Sequence, residues 1–166
     1  MPPPSSKSVS EHLKPVWPGF AVWLVLCFIA PALGSVAGPG DWYAQLQKPP
    51  WNPPGWVFGP VWTVLYASMA VAVWMIWRRG GFRVQRLPLV LFLTQLALNA
   101  LWTPLFFGLH RPDLALVDIL LLWLAIVATL VAFARVHRGA AALLAPYLAW
   151  VSFATFLNFT IWRLNS

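Results

Sequence analysis

The chain contains 166 residues, of which 60% are hydrophobic and 9% are charged, and its mean hydropathy is +0.72. A soluble domain carries roughly a quarter charged residues, so this composition excludes a water-soluble fold and predicts one domain embedded in a membrane. The net charge of +7 does not indicate a nucleic-acid partner, because the arginines lie in short gaps between apolar runs. The single cysteine, Cys27, excludes an intramolecular disulfide and argues against a zinc site.

The chain begins with a polar segment, which the first apolar run follows. Residues 1–16 are rich in proline and serine and predict a disordered tail. Residues 17–38 carry no charge, and at about 1.5 Å per residue they are long enough to cross the hydrocarbon core as a helix. A cleaved signal peptide is the alternative, but the run is long for one and lacks a clear A-x-A cleavage motif. A retained helix is therefore expected.

Four further apolar runs follow, separated by short gaps that contain arginine or proline: residues 57–77, 87–109, 114–134 and 140–162. The charge inside these runs is limited to Asp118, in the fourth of the five runs. Pro104 lies late in the third run and is expected to bend or unwind that helix. Together the five runs predict an all-α membrane protein, a five-transmembrane-helix bundle over residues 17–166.

The segment after the first run, residues 48–60, contains five prolines, two glycines and two tryptophans. Proline fixes φ and pushes the residue before it towards an extended conformation, so the segment should be a stiff loop. Two interpretations are open for its tryptophans, Trp51 and Trp56. The loop either covers an apolar pocket or is anchored by its indoles at the membrane interface.

Five spans put the two ends of the chain on opposite sides of the membrane. The side of the N-terminus would carry eight positive residues: Lys7, Lys14, Arg78, Arg79, Arg83, Arg86, Arg135 and Arg138. The other side would carry Lys48, Arg111 and Arg163. The positive-inside rule therefore predicts a cytoplasmic N-terminus, with the proline-rich loop and the C-terminus on the opposite side. A helical bundle favours an inner membrane, and a bacterial outer membrane is the alternative.

Polar and aromatic side chains recur at helical spacing in the half of the bundle beneath the loop. Asn99 and Trp102 share a face of the third helix with Gln95, and Trp62 shares a face of the second with Tyr66. This set predicts a small-molecule pocket. The alternative is that Gln95, Asn99 and Asn158 only form hydrogen bonds between helices. Asp118 fits a capped or paired structural carboxylate better than a proton-coupled transport site.

The remaining residues argue against several kinds of chemistry. The three histidines lie in the tail or at helix ends without metal-ligand spacing, so no metal site is expected. A hydrolase triad and a phosphate-binding loop are also not indicated. Tryptophan and phenylalanine present flat, weakly polar faces, which suit a large planar apolar ligand such as a tetrapyrrole or a sterol. The indole ring is oxidisable, so a photosensitising ligand can react with it.

Three stretches resemble the translocator protein family, also called tryptophan-rich sensory proteins or peripheral-type benzodiazepine receptors. They are W-Y-A-Q-L-Q-K-P-P-W-N-P-P-G-W over residues 42–56, Q-L-A-L-N-A-L-W-T-P-L-F-F-G over 95–108 and P-Y-L-A-W-V-S-F-A-T-F-L-N-F over 146–159. The resemblance covers residues 17–165 and is of the bacterial type. It implies a five-helix bundle, often a homodimer, whose loop closes a pocket for porphyrins. It also implies protoporphyrin IX as a ligand, a membrane-lipid environment and no required cofactor.

The resemblance implies a ligand-binding role for ten residues: Trp42, Trp51, Trp62, Tyr66, Asn99, Trp102, Trp150, Ala154, Leu157 and Asn158. Trp62 and Trp150 match tryptophans that the family associates with light-dependent porphyrin breakdown, so they are the candidates for such a reaction. No residue is assigned as catalytic, and the chain is not predicted to be an enzyme.

The chain departs from the family in one motif. The sterol motif proposed for animal members needs a tyrosine where this chain has Phe159, so the resemblance favours a tetrapyrrole over cholesterol. The expected role is a sensor that binds tetrapyrroles and regulates or disposes of them. The alternatives are a transporter of tetrapyrroles or lipids, a porphyrin-degrading photo-enzyme and a scaffold without a ligand. No inverted repeat supports the transporter.

Overall fold

The computed structural model describes residues 17–34, 38 and 40–166. The disordered tail expected for residues 1–16 and the end of the first apolar run fall outside the described residues. The described chain folds into helices α1 (Trp17–Gly34), α2 (Asp41–Gln45), α3 (Gly55–Trp77), α4 (Gly81–Val84), α5 (Arg86–Thr103), α6 (Pro112–Val136) and α7 (Arg138–Leu164). A π-helical turn, Pro104–Gly108, follows α5.

The long helices identify an integral multi-pass membrane protein. Within the described residues, four helical segments are long and apolar enough to cross a bilayer: Gly55–Trp77, Arg86–Gly108, Pro112–Val136 and Arg138–Leu164. The apolar stretch of α1, Pro18–Ala30, is shorter than these four. Backbone polar groups have no water to bond in the hydrocarbon core, so spanning segments must satisfy them internally, as a helix does.

The α5 helix ends where the sequence predicted a break. Pro104 cannot donate a backbone hydrogen bond, and from this residue the chain continues as the π-helical turn. The Leu109 amide then donates to the Pro104 carbonyl over 2.9 Å. At His110 the backbone enters the left-handed region, with φ at 54°. This change of direction brings the chain to the start of α6.

The five longest helices close into a ring, and α3 and α5 also touch each other across it. The order around the ring is α1, α3, α7, α6 and α5, and α5 returns to α1. Large apolar side chains such as Val64, Leu121 and Phe156 face outwards, as they should where the surroundings are lipid tails. Alanines such as Ala70, Ala72 and Ala140 are fully buried and let the helices approach closely.

Hydrogen bonds between side chains and neighbouring helices hold the ring together. The Tyr66 hydroxyl donates to Asn99 Oδ1 over 2.9 Å and joins α3 to α5. The Trp123 indole donates to Ser152 Oγ over 2.8 Å and joins α6 to α7. Lipid tails are as apolar as the helix surfaces, so burial alone does not drive helices together in a membrane. Packing and such bonds, each worth about 1 kcal/mol, take over that role.

The two ends of the bundle differ in character. The loop end is formed by residues 40–54, 109–111 and 165–166. The arginine end is formed by residues 78–86 and 135–138. The start of α1 lies at the arginine end, where the Phe20 ring packs edge-on against Trp74 with centroids 5.4 Å apart.

A close contact between α1 and α3 generates the first prediction. A Cβ atom added at Gly19 would lie 2.2 Å from a ring carbon of Trp77. Because the Trp77 ring or one of the two helices must shift, Gly19→Ala should lower the free energy of unfolding by about 1–3 kcal/mol. The measurement is denaturant unfolding of the purified protein in detergent micelles.

The matched control is Gly59→Ala in α3, where an added Cβ meets no heavy atom within 4 Å. It should leave stability unchanged or raise it by up to about 1 kcal/mol, because alanine favours the helix more than glycine does. Equal destabilisation by the two substitutions would contradict the proposed contact.

Candidate functional site

A cavity of about 360 Å³ lies between the helices in the half of the bundle next to the loop end. All five helices of the ring contribute to its wall, which is mainly apolar and aromatic. The lining residues are Phe28, Ala32, Phe58, Trp62, Thr63, Tyr66, Asn99, Trp102, Thr103, Ile119, Leu122, Trp150, Val151 and Ala154. Its volume falls within the range of about 300–1,000 Å³ that is usual for small-molecule sites.

Aromatic rings form flat walls in this cavity. The rings of Trp62 and Tyr66 are stacked, with centroids 5.1 Å apart. Trp150 stands nearly perpendicular to Trp62, at 6.5 Å and 86°. Phe58 lies one helical turn before Trp62 and packs edge-on against Trp150 at 5.8 Å. A planar apolar molecule in the cavity can therefore stack on one ring face while another aromatic ring meets its edge.

The wall also carries polar groups in fixed positions. Asn99 is buried and accepts the hydrogen bond from Tyr66. Thr63 and Thr103 lie beside Trp62 and Trp102 in sequence, and both line the cavity. A wall of this kind, mainly apolar with a few positioned polar groups, is the usual composition of a ligand pocket.

Several buried polar atoms near the cavity have no hydrogen-bond partner among the described residues. They are Trp150 Nε1, Tyr147 Oη, Asp118 Oδ2 and both amide atoms of Gln95. The Tyr147 ring is fully buried and packs behind Trp62, with centroids 6.2 Å apart. An unpaired buried polar group costs about 1–3 kcal/mol. A ligand acceptor that reaches Trp150 Nε1 from the cavity would recover part of that cost.

Asp118 lies in the seventh position of α6 and is 4% exposed. Within the described residues the one salt bridge joins Arg111 to Asp113 at 2.6 Å, and it does not involve Asp118. The expectation that Asp118 is capped or paired is therefore not met. Asp118 does not line the cavity, although the next residue, Ile119, and Leu122, one turn further along α6, both do.

The ten residues expected to bind a ligand divide into two groups. Six of them line the cavity: Trp62, Tyr66, Asn99, Trp102, Trp150 and Ala154. The other four, Trp42, Trp51, Leu157 and Asn158, lie outside its wall.

Asn158 links three elements at the loop end of the ring. Its Oδ1 accepts a hydrogen bond from Trp102 Nε1 over 3.0 Å. Its Nδ2 donates to the Pro112 carbonyl over 2.9 Å. These bonds connect α5, α7 and the start of α6. In the structure Asn158 therefore has the interhelical role that was the alternative for it, and it fixes the position of the Trp102 wall.

The tryptophans of the loop pack on the end of the bundle. The Trp42 ring stacks on His110, with centroids 4.4 Å apart, and meets the edge of Phe106 at 5.8 Å. The Trp51 ring stacks on Phe156 at 5.2 Å. Both contacts attach the proline-rich loop to the same end of the ring as the cavity. This arrangement supports a covering loop, although neither indole reaches the cavity wall.

The C-terminal end of α7 holds the loop through a pair of hydrogen bonds. The Gln47 amide donates to Asn165 Oδ1 over 2.9 Å, and Asn165 Nδ2 donates to the Gln47 carbonyl over 2.9 Å. Nearby, Lys48 Nζ lies 4.6 Å from the centroid of the Tyr43 ring. Partial burial raises the pKa of the Tyr43 hydroxyl above its ordinary value. Tyr43 in α2 therefore remains a neutral phenol at physiological pH.

Sequence reasoning missed the apolar part of the wall. Phe28 on α1 and Ile119 and Leu122 on α6 carry no polar group that would distinguish them from other residues of a membrane helix. A usable signal existed for Phe58, which lies four residues before Trp62 and shares its helix face. Asn165 was missed because it lies outside the five apolar runs.

The ring of helices defines the class: a multi-pass helical membrane protein, with an aromatic cavity between its helices. The chain belongs to the TspO/MBR family, whose sequence model matches residues 21–163.

Relatives from distant organisms match nearly the whole chain. The tryptophan-rich protein TspO of Chlorobaculum tepidum is 47% identical over 152 residues, which cover 87% of this chain and 94% of that protein. The human translocator protein is 48% identical over 146 residues, 82% of this chain and 86% of that protein. The tryptophan-rich sensory protein of Cereibacter sphaeroides is 40% identical over 149 residues, 90% of this chain and 92% of that protein.

The two tyrosines beside Trp62 should respond differently to loss of the hydroxyl. Tyr66→Phe removes the donor to buried Asn99 Oδ1 and should lower the free energy of unfolding by about 1–3 kcal/mol. Tyr147→Phe removes an unpaired buried hydroxyl and should leave stability unchanged or raise it. Denaturant unfolding in micelles compares the two variants. A larger loss for Tyr147→Phe would contradict this assignment of hydrogen bonds.

The Gln47–Asn165 pair should control opening of the loop. Asn165→Ala removes both hydrogen bonds and should speed hydrogen exchange at the Gln47 amide roughly tenfold, since each bond contributes about 0.5–1.5 kcal/mol. The control is Ser166→Ala, because Ser166 Oγ donates to the Trp162 carbonyl and has no bond to the loop. Unchanged exchange in Asn165→Ala would show that other contacts hold the loop closed.

Proposed function

We propose that this protein is a membrane receptor that binds a porphyrin-type tetrapyrrole, such as protoporphyrin IX or a haem precursor, and regulates its use or disposal. The observation that carries the proposal is the convergence of Trp62, Tyr66, Asn99, Trp102 and Trp150 on one cavity. These residues come from three helices and were identified by their spacing and by family resemblance. Their flat faces suit a planar macrocycle.

The polar groups of the cavity suggest how the ligand is oriented. The Trp150 ring lines the cavity, and its buried Nε1 has no acceptor among the described residues. It is the natural donor to a polar edge substituent, such as a propionate oxygen of a porphyrin. Asn99 Nδ2 is a second donor from the facing helix, since Asn99 Oδ1 is already bonded to Tyr66. Apolar contact and stacking would then supply most of the affinity.

The proposal includes a topology and an assembly. The α1 helix forms the fifth span, the N-terminus is cytoplasmic, and the loop end faces the opposite side of an inner membrane. The charge distribution supports this orientation, because Arg78, Arg79, Arg83 and Arg86 lie at one end of the bundle. We also propose that the protein is a homodimer and that ligand binding requires no cofactor.

A light-driven reaction is a second candidate function, favoured by the position of two oxidisable indoles. Trp62 and Trp150 both face the cavity and lie 6.5 Å apart between ring centroids. A bound photosensitiser would be in van der Waals contact with them. Transport has less support, because the chain shows no inverted repeat.

The test is a dark titration of the purified protein with protoporphyrin IX, followed by the shift of the porphyrin absorbance band. Trp150→Phe removes the unpaired indole donor and part of a flat wall, so it should weaken binding roughly tenfold, a loss of about 1.4 kcal/mol. Trp62→Phe should also weaken binding. The control is Trp123→Phe, because Trp123 bonds Ser152 and does not line the cavity.

The outcomes separate the functions. Saturable binding that is weakened in Trp62→Phe and Trp150→Phe but not in Trp123→Phe supports the receptor. Loss of porphyrin absorbance under light, in wild type alone, supports the photochemical function as well. No saturable binding in wild type would refute the tetrapyrrole proposal.

A further inference from the structure

A second cavity lies at the arginine end, between the first half of α1, the end of α3, α4 and the start of α5. Its volume is about 420 Å³, and it shares no residue with the aromatic cavity. It is lined by Pro18, Gly19, Val22, Trp23, Leu26, Trp77, Phe82 and Leu93. We call it the arginine-end groove. Its wall has no charged side chain, and Val22, which is 56% exposed, lies on its open side.

The turn between α3 and α5 gives the groove its shape. Gly80 and Gly81 have φ values of 111° and 58°, in the left-handed region that favours glycine. These values fold the chain back so that the α4 residue Phe82 enters the groove. The Phe82 ring then lies 6.3 Å from Trp23 between ring centroids.

Four arginines surround this turn, and all are exposed: Arg78, Arg79, Arg83 and Arg86. Arg78 lies over the Trp74 ring at 4.8 Å, and Arg79 Nη1 donates to the Met75 carbonyl over 3.4 Å. Arg83 directly follows the groove residue Phe82, Arg86 lies about two helical turns before the groove residue Leu93, and neither arginine forms an ion pair or side-chain hydrogen bond with a described residue. Two exposed guanidinium groups are therefore available close in sequence to residues that line the groove.

No described carboxylate can neutralise these arginines. Asp41 lies at the loop end, and Asp113 is paired with Arg111 at 2.6 Å. Asp118 is buried in the loop half of the bundle. The remaining acid, Glu11, lies in the N-terminal segment outside the described residues. The positive charge of these arginines is therefore complementary to an anion from outside the chain. The apolar wall of the groove is complementary to a hydrocarbon chain.

We propose that the arginine-end groove binds an anionic phospholipid, with one acyl chain along Val22, Leu26 and Trp77 and the phosphate held by Arg83 and Arg86. The planar guanidinium fork matches phosphate oxygens in bidentate geometry. Basic pockets between transmembrane helices on the cytoplasmic side are the usual sites for anionic headgroups. The site is separate from the aromatic cavity and does not depend on the ligand proposed there.

The N-terminal segment is a poor alternative occupant. Residues 1–16 contain mostly proline, serine and other polar residues, with Lys7 and Lys14 against a single acid, Glu11. A basic and polar segment complements neither the apolar wall nor the arginines. A lipid with a negative headgroup complements both.

Native mass spectrometry of the full chain, released from detergent with added lipid, tests the proposal. The probes are palmitoyl-oleoyl phosphatidylglycerol and the matching phosphatidylcholine. Wild type should retain one phosphatidylglycerol molecule, with a preference over phosphatidylcholine on the order of tenfold. The double variant Arg83→Gln/Arg86→Gln should lose this preference.

The control for charge is Arg135→Gln/Arg138→Gln, which removes two exposed arginines from the other turn at the same end. It should keep the preference. Equal loss of the preference in both double variants would show that binding follows diffuse surface charge, and it would contradict the proposed site. The proposal would also be contradicted if the wild-type protein showed no preference for phosphatidylglycerol. A preference that arises only after deletion of residues 2–14 would contradict it as well.

A second pair of variants tests the acyl-chain groove. Val22→Trp fills the groove with an indole ring and leaves all arginines unchanged. It should abolish retention of phosphatidylglycerol. Val25→Trp places the same ring at an exposed α1 position outside the groove and should bind as wild type does. Equal retention by the two variants would contradict the proposal. Unchanged unfolding midpoints check that the variants are folded.

Discussion

The amide side chain of Asn158 is the interaction on which the arrangement of the loop end depends most. It accepts from the Trp102 indole and donates to the Pro112 carbonyl, and so it joins α5, α7 and the start of α6. In water, burial of apolar surface would hold such helices together, but in a bilayer the lipid competes equally for that surface. Directional bonds and close packing must then determine which helix faces meet. Asn158 does this outside the aromatic cavity, where it holds the lining residue Trp102.

The cavity follows from this constraint. The Tyr66–Asn99 bond joins α3 to α5, and the Trp123–Ser152 bond joins α6 to α7. These bonds help to fix the helices around the aromatic wall. Among the lining residues, Tyr66, Asn99 and Trp102 are bonded to other side chains, whereas the indole nitrogen of Trp150 has no partner among the described residues.

The sequence predicted the helices well for a clear physical reason. Charged side chains are costly in the hydrocarbon core, so Arg78, Arg86 and Arg138 lie at the ends of the apolar runs, and Pro112 lies in the first turn of α6. Helices α3, α6 and α7 accordingly begin and end within two residues of the predicted runs. The fifth span rests on the same reasoning, but the described part of α1 is shorter than the other four.

The site was less predictable, because helical phase identifies a face but not what that face contacts. Asn99 and Asn158 have the same chemistry and similar depth, yet one lines the cavity and the other joins helices outside it. Trp42 and Trp51 lie in or beside a loop without periodicity, so their stacking on His110 and Phe156 could not be derived from spacing. Phe28 and Leu122 are ordinary apolar residues of membrane helices. Only the three-dimensional packing distinguishes them.

We propose that a planar photosensitising ligand lies in the aromatic cavity against Trp62 and Trp150, and not against the tryptophans Trp42 and Trp51 at the loop end. A mass-spectrometric map of tryptophan oxidation, made after brief illumination of the protein with bound protoporphyrin IX, tests this placement. Oxidation should be concentrated at Trp62 and Trp150, with little at Trp42, Trp51 or Trp123, because reactive species form next to the bound macrocycle. Oxidation concentrated at Trp42 and Trp51, or spread evenly over all the tryptophans, would contradict it.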